Sequence, residues 1–221
     1  MPEKMSAEHS TTMSFLNLQR LLRKEVLPLG QIEMGYVMGE TVDNQRQSLE
    51  QAAFLLKQGV IKKIATPDPH PPYIYGYPGS NYCTQILISL GVVNNQIIKV
   101  SSDTHYPQMN TQTELNMFAD YLQKQDDTSN IIIIAPWFHA LRSYITALSE
   151  FKNTNLDRRV FISSVYLNPY KKITHSQGIQ KGTRRKIFHE EVEKCTSYKN
   201  LISIEEALEI YKRHSNIDNQ A

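Results

Sequence analysis

In the segment PWFHALR, residues 136–142, His139 and Arg142 stand three apart, so on a helix they share one face of its opening turns. A histidine titrates near neutrality and can give or take a proton, and arginine is a rigid two-pronged donor to phosphate or carboxylate. A hydrogen-bonded core histidine beside a surface arginine is the plainer alternative. A second arginine, Arg46, follows Asp43 in GETVDNQRQSLEQA, at the start of another expected helix. Arginine at a helix N-terminus opposes the helix dipole, which suits an anion-binding role, although a solvated first-turn residue would look the same. The stretch SSDTHYPQMNTQTELN supplies Asn110, Thr111 and Glu114. Thr111 and Glu114 have capping-box spacing, which accounts for both structurally. Alternatively, Asn110 and Thr111 hold polar ligand groups at an open helix end, with Glu114 as acceptor or base. Asp103 and His105 lie upstream and either join that site or serve the loop.

These residues need elements to position them. From residue 31 short β-branched runs alternate with segments of helical period, which is the signature of a βαβ chain. Strands are expected at 32–39, 60–66, 96–102, 131–135 and 159–165. The run IIIIA has no alternation, as in a strand buried on both faces of a parallel sheet. Between them, stripes such as Leu115, Phe118, Ala119 and Leu122 mark helices that cover the sheet. Right-handed crossovers then give a doubly wound five-stranded parallel sheet of order 3-2-1-4-5, with a crevice where the winding reverses between strands one and four. The loops after Gly39 and Ala135 should line it, so Gly39, Glu40, Asp43 and Arg46 fall at the expected ligand site with Asn110, Thr111 and Arg142. Residues 1–30 read as an N-terminal helical extension, 31–170 as the α/β domain, and 171–221 as a basic loop and two helices packed on it. The stripe Phe15, Leu18, Leu21, Leu22 and Val26 suits a docking helix better than a membrane-surface one, since Arg20, Arg23 and Lys24 are its only positive charges.

Composition narrows the partners. With 24 basic and 22 acidic residues in 221, the net charge of +2 draws the chain neither to nucleic acid nor to a membrane. No run of 18 apolar residues and no signal-peptide stretch is present, so a soluble, cytoplasmic protein is expected. Cys83 and Cys195 are 112 positions apart, which suggests neither a disulfide framework nor a zinc knuckle. Nucleotide-loop, nucleophile-elbow and H-E-x-x-H signatures are missing, and His189 with the two glutamates after it has the wrong spacing for zinc. No metal is demanded, and an ion carried in by a phosphorylated substrate would find its oxygens on Asp43, Asp103 and Glu114. The cations Lys171, Lys172, Lys181, Arg184, Arg185 and Lys186 read as a solvated loop and helix start rather than a docking site.

The succession VMGE, AAFLLKQGVIKKI, ISLGV, NTQTELN and IIIIAPWFHALRS, over residues 32–165, resembles the SanA, YdcF and ElyC family of bacterial α/β domains. The most specific pieces are the Asn-Thr helix start at Asn110 and Thr111 and the aromatic-His-x-x-Arg segment at Phe138, His139 and Arg142. The resemblance implies a Rossmann-like sheet, a link to envelope processes in some members, and S-adenosylmethionine binding in a YdcF-type member. Where the family has a Ser-Gly-Gly-like turn and an acidic residue, this chain has ATPDPHPPYIYGYPGSN, in which Asp68 is the candidate substitute. Tyr73, Tyr75 and Tyr77 alternate in that loop, spaced either to stack on a planar ring or to pack the loop. Two functions follow: an anionic or nucleotide-like small molecule turned over by His139 with Glu114, or a non-catalytic S-adenosylmethionine or nucleoside module using the same crevice.

Overall fold

The five β-branched runs form one all-parallel sheet in the order β3-β2-β1-β4-β5. In the computed structural model, residues 14–22, 27, 32–69, 76–101, 110–125, 129–154, 156, 158–175, 180–197 and 200–218 are described. Helix α1 covers residues 14–22. It is followed by β1 (Ile32–Val37), α2 (Val42–Lys57), β2 (Ile61–Pro67), α3 (Ser80–Ser89), a 3-10 turn (Asn94–Gln96), β3 (Ile97–Val100), α4 (Thr111–Lys124), β4 (Ile131–Pro136), α5 (Trp137–Asn153) and β5 (Val160–Val165). An antiparallel hairpin, β6 (Lys172–His175) with β7 (Gln180–Thr183), then leads into α6 (Arg184–Ser197) and α7 (Ile204–Asp218).

β4 is buried at every residue, and β1 flanks it with Met34 opposite Ile131 and Val37 opposite Ile134. This leaves the reversal of winding between β1 and β4, so the carboxyl ends of these two strands open into the crevice that doubly wound sheets use for ligands. Successive strand residues serve opposite faces. Met34, Tyr36, Ile131 and Ile133 pack with α1, α4, α5 and α7 through residues such as Leu18, Phe118, Tyr144 and Ala207. Ile61, Ile64, Ile132 and Ile134 pack with α2 and α3 through Leu49, Leu55, Cys83 and Leu87. The rings of Tyr36 and Phe118 stack with centroids 4.1 Å apart. Gly35 is required by crowding, because a Cβ there would lie 2.7 Å from Ile61 Cδ1 and 3.1 Å from Ile134 Cδ1.

Three expectations change. The first strand ends at Val37 rather than Gly39, since Met38 makes a last bond to Ile134 O at 3.0 Å before the chain turns into α2. The α4 capping box pairs Asn110 with Thr113, not Thr111 with Glu114: the Asn110 side chain accepts from Gln112 N and Thr113 N, and Thr113 Oγ1 accepts from Asn110 N. Thr111 and Glu114 are thereby released from capping. The basic stretch after residue 170 is a hairpin and a helix start rather than a solvated loop, tied to the sheet domain where the Thr41 hydroxyl donates to Thr174 O at 3.0 Å. Among the described residues, no helix is long and apolar enough to cross a membrane.

Candidate functional site

At the β1–β4 crevice, five elements bring polar and ionisable side chains together. Gly39 and Glu40 leave β1; Thr111 and Glu114 occupy the first turn of α4; His139 and Arg142 lie one turn apart at the start of α5, which begins without a loop after β4. His175 ends β6 and Glu191 projects from α6. All but Gly39, which is half-buried, are buried, with Glu40, His139, His175 and Glu191 each at 2–4% exposure.

The bonding order follows from donor counting. Arg142 Nη1 donates to Thr111 Oγ1, while its Nε donates to Glu191 Oε2 at 2.5 Å. Thr111 keeps one hydroxyl proton, and His139 Nε2 lies 3.0 Å from that oxygen. His139 Nδ1 is hydrogen-bonded to Glu40 Oε1. Since Glu40 can only accept when ionised, the network assigns the imidazole proton to Nδ1 and leaves Nε2 to accept from Thr111. His175 closes a ring from the other side. Its Nδ1 is 3.4 Å from Glu40 Oε2 and its Nε2 is 3.6 Å from Glu191 Oε1. Glu191 Oε2 faces His139 Nε2 at 4.0 Å. Two carboxylates and two imidazoles thus alternate around the centre.

Burial works against charge on Glu40, but His139 and His175 beside it hold its pKa down to about 2. Burial likewise opposes a charge on His175, yet Glu40 and Glu191 carry it up to about 9. Glu191 is buried too, and Arg142 and His175 keep it well below the carboxylate range. His139 moves down because burial, helped by Arg142, outweighs Glu40. Burial pushes Glu114 up to about 8, with the Gly39 N–H pulling against it and the charge of Glu40 adding to the rise. At neutral pH the charged members are therefore Glu40 and Glu191 against His175 and Arg142, an internally balanced set as a buried cluster needs. Gly39 N donates to Glu114 Oε1 at 2.7 Å, and Glu40 N donates to Gln45 Oε1 at 2.5 Å, which locks the strand exit.

Of the residues expected from sequence, Gly39, Glu40, Thr111, Glu114, His139 and Arg142 converge. Arg46 does not: it is exposed and pairs with Glu50 one turn on at 3.0 Å, because α2 turns Asn44, Gln45, Ser48 and Leu49 inward instead. The expected Arg46–Arg142 clamp is therefore not formed. Asp43 is exposed, with a carboxylate oxygen 3.8 Å from Lys171 Nζ. Asp68 accepts from the Ser80 hydroxyl at 2.5 Å and so ties the start of α3, while Asn110 spends its side chain on capping α4. Tyr77 is buried and donates to Pro67 O at 2.8 Å, the packing role rather than the stacking one. Asp103, His105, Tyr73 and Tyr75 lie outside the described residues.

His175, Glu191 and Arg184 were not singled out for the site. Arg184 is fully buried, and its guanidinium donates to Asn44 Oδ1 at 2.8 and 3.0 Å, to Asn168 O at 3.1 Å and to Asp43 O at 3.2 Å. A signal did exist: Arg184, Ile187 and Glu191 recur at i, i+3 and i+7, so the two charges share the stripe of a buried isoleucine. Glu40, His139 and His175 also present one ligand-type atom each within 4.8 Å of one another, a set different from the Asp43, Asp103 and Glu114 oxygens expected for an ion. Compared with models of known protein families and with curated proteins, the chain matches none.

Proposed function

We propose that the chain is an enzyme of the hydrolytic or group-transfer class, acting on an anionic, phosphorylated or nucleotide-like small molecule at the carboxyl ends of β1 and β4. The observation that carries this reading is the chain Glu40–His139–Thr111–Arg142, in which a carboxylate orients an imidazole against a hydroxyl that also meets a guanidinium. Such an order suits proton transfer at the hydroxyl end, where Arg142 stabilises developing negative charge; proton transfer of this kind contributes about 10² to 10⁴ in rate. Glu114, neutral near pH 7, is the second group able to move a proton. A separate open groove of about 610 Å³ on the β6–β7 hairpin, which reaches Thr174 next to His175 but none of Glu40, His139, Thr111 and Arg142, is lined by Lys172, Lys181 and Lys186 with Asp43 as its only acid among the described residues, and suits an anionic group. The reading also fits the SanA, YdcF and ElyC resemblance, since its two most specific segments are those that meet here.

The test starts from a thermal-shift panel of nucleotides, sugar phosphates and S-adenosylmethionine, because a ligand of the native state raises its melting temperature by mass action. Stabilising compounds are then assayed for turnover by the wild type and by His139→Gln. Retained binding with turnover reduced at least ~10²-fold is expected. Equal turnover by both proteins rejects the assignment, and stabilisation by S-adenosylmethionine without turnover by the wild type replaces the enzyme with a binding module.

A further inference from the structure

We infer that Glu40, His139 and His175 form a binding site for one divalent first-row transition-metal ion. The geometry is that of two histidines and one carboxylate: both rings turn Nδ1 toward the same carboxylate, His139 to Oε1 and His175 to Oε2, and the three ligand atoms lie within 4.8 Å of one another. Nitrogen donors with a single carboxylate select zinc, iron or their neighbours over magnesium and calcium, which prefer all-oxygen sets.

An independent observation points to a ligand. Glu40 Oε2 and His175 Nε2 are fully buried and make no hydrogen bond among the described residues. Buried polar atoms of this kind are costly unless they are paired, and a cation between the rings would give Glu40 Oε2 a direct partner in place of the 3.4 Å approach of His175 Nδ1. The surroundings match an outer shell. Once Nδ1 binds an ion, the proton of each ring sits on Nε2; that of His139 faces Thr111 at 3.0 Å and that of His175 faces Glu191 Oε1 at 3.6 Å. A carboxylate or hydroxyl behind a ligating histidine is the usual device for fixing its tautomer and orientation. Arg142 already neutralises Glu191 through a 2.5 Å bond, so when an ion takes the place of the His175 proton the charge that balances it belongs to Glu40.

The inference goes beyond the proposed function and changes one role in it: with the ion seated, His139 would be a ligand rather than the group that moves a proton. Binding can be tested without any substrate. The chelator-treated full chain is titrated with Co²⁺, followed by its visible absorption, and then with Zn²⁺ as competitor. One equivalent of Co²⁺, displaced by Zn²⁺, is expected. Affinity should fall at least ~10–100-fold in Glu40→Gln and His175→Ala, and stay unchanged in His189→Ala, whose imidazole is exposed. No stoichiometric uptake by the wild type overturns the site whatever the variants do, as does equal uptake by folded Glu40→Gln. The two readings also fail separately. Loss of turnover in His139→Gln but not in His175→Ala, without ion uptake, removes the metal and leaves the enzyme. One bound equivalent with no turnover of any panel compound leaves the metal and removes the enzyme.

Discussion

Replacing Arg184 by Met tests whether the C-terminal segment is built into the domain through a buried cation. Arg184 is 2% exposed, and its guanidinium satisfies three acceptors: Asn44 Oδ1 twice, and the main-chain oxygens of Asp43 and Asn168. Methionine fills most of the volume but donates nothing, so Asn44 Oδ1 loses its partner in a buried position and the main-chain oxygens of Asp43 and Asn168 lose theirs in part-buried ones. Each unsatisfied buried acceptor costs about 1–3 kcal/mol, offset by no longer desolvating a cation, and the net loss expected is about 3–5 kcal/mol. With a urea m-value of about 2–3 kcal/mol/M, the midpoint should fall by roughly 1–2.5 M at unchanged m. Arg185→Met, one residue along and exposed, is the control and should stay within about 0.5 kcal/mol of wild type. Equal, small effects for the two substitutions would mean that Arg184 is solvated and does not tie the start of α6 to α2.

In Gly35→Ala the added methyl meets Ile61 Cδ1 at 2.7 Å, so a loss of about 1–3 kcal/mol is expected. Ile61→Val removes that Cδ1, and the double variant should lose less than the two single losses added together; simple additivity in urea denaturation would refute the contact. Glu114 has a folded pKa raised to about 8, against an unfolded value near about 4.3, so the folded chain holds one more proton between these limits. Its contribution is fully present below the unfolded value and is lost as pH rises to about 8, by up to about 1.4 kcal/mol per pH unit. Glu114→Gln abolishes this titration while keeping an acceptor for Gly39 N–H, so its stability relative to wild type should climb from pH 5 to pH 8. A flat difference across that range would show that Glu114 is already ionised in the fold.

Much of the centre could be read before any tertiary contact was known, because its members sit at strand ends whose position follows from the winding of the sheet. Once IIIIA is the central strand, His139 in the first turn of α5 must face the crevice, and the Gly39–Glu40 exit of β1 must lie beside it. Arg46 failed for a reason inside α2. The inward face of that helix is set by polar residues: Gln45 bonds Glu40 N, Asn44 receives Arg184, and Ser48 is buried with them. An apolar stripe beginning at Leu49 says nothing of these. His175 and Glu191 were hidden because a short basic hairpin carries little hydrophobic alternation, and its docking depends on bonds such as Thr41 to Thr174, 133 residues apart.

Local periodicity by itself determined the element types of the sheet domain, the parallel sheet and its order, since burial on two faces leaves a strand no polar positions and crossover handedness leaves few topologies. Only the tertiary structure decided that β6 and α6 bring His175 and Glu191 to the crevice and complete its charge set. The reason is that partners for buried polar groups are chosen by proximity in space, and residues 40, 139, 175 and 191 carry no common period along the chain.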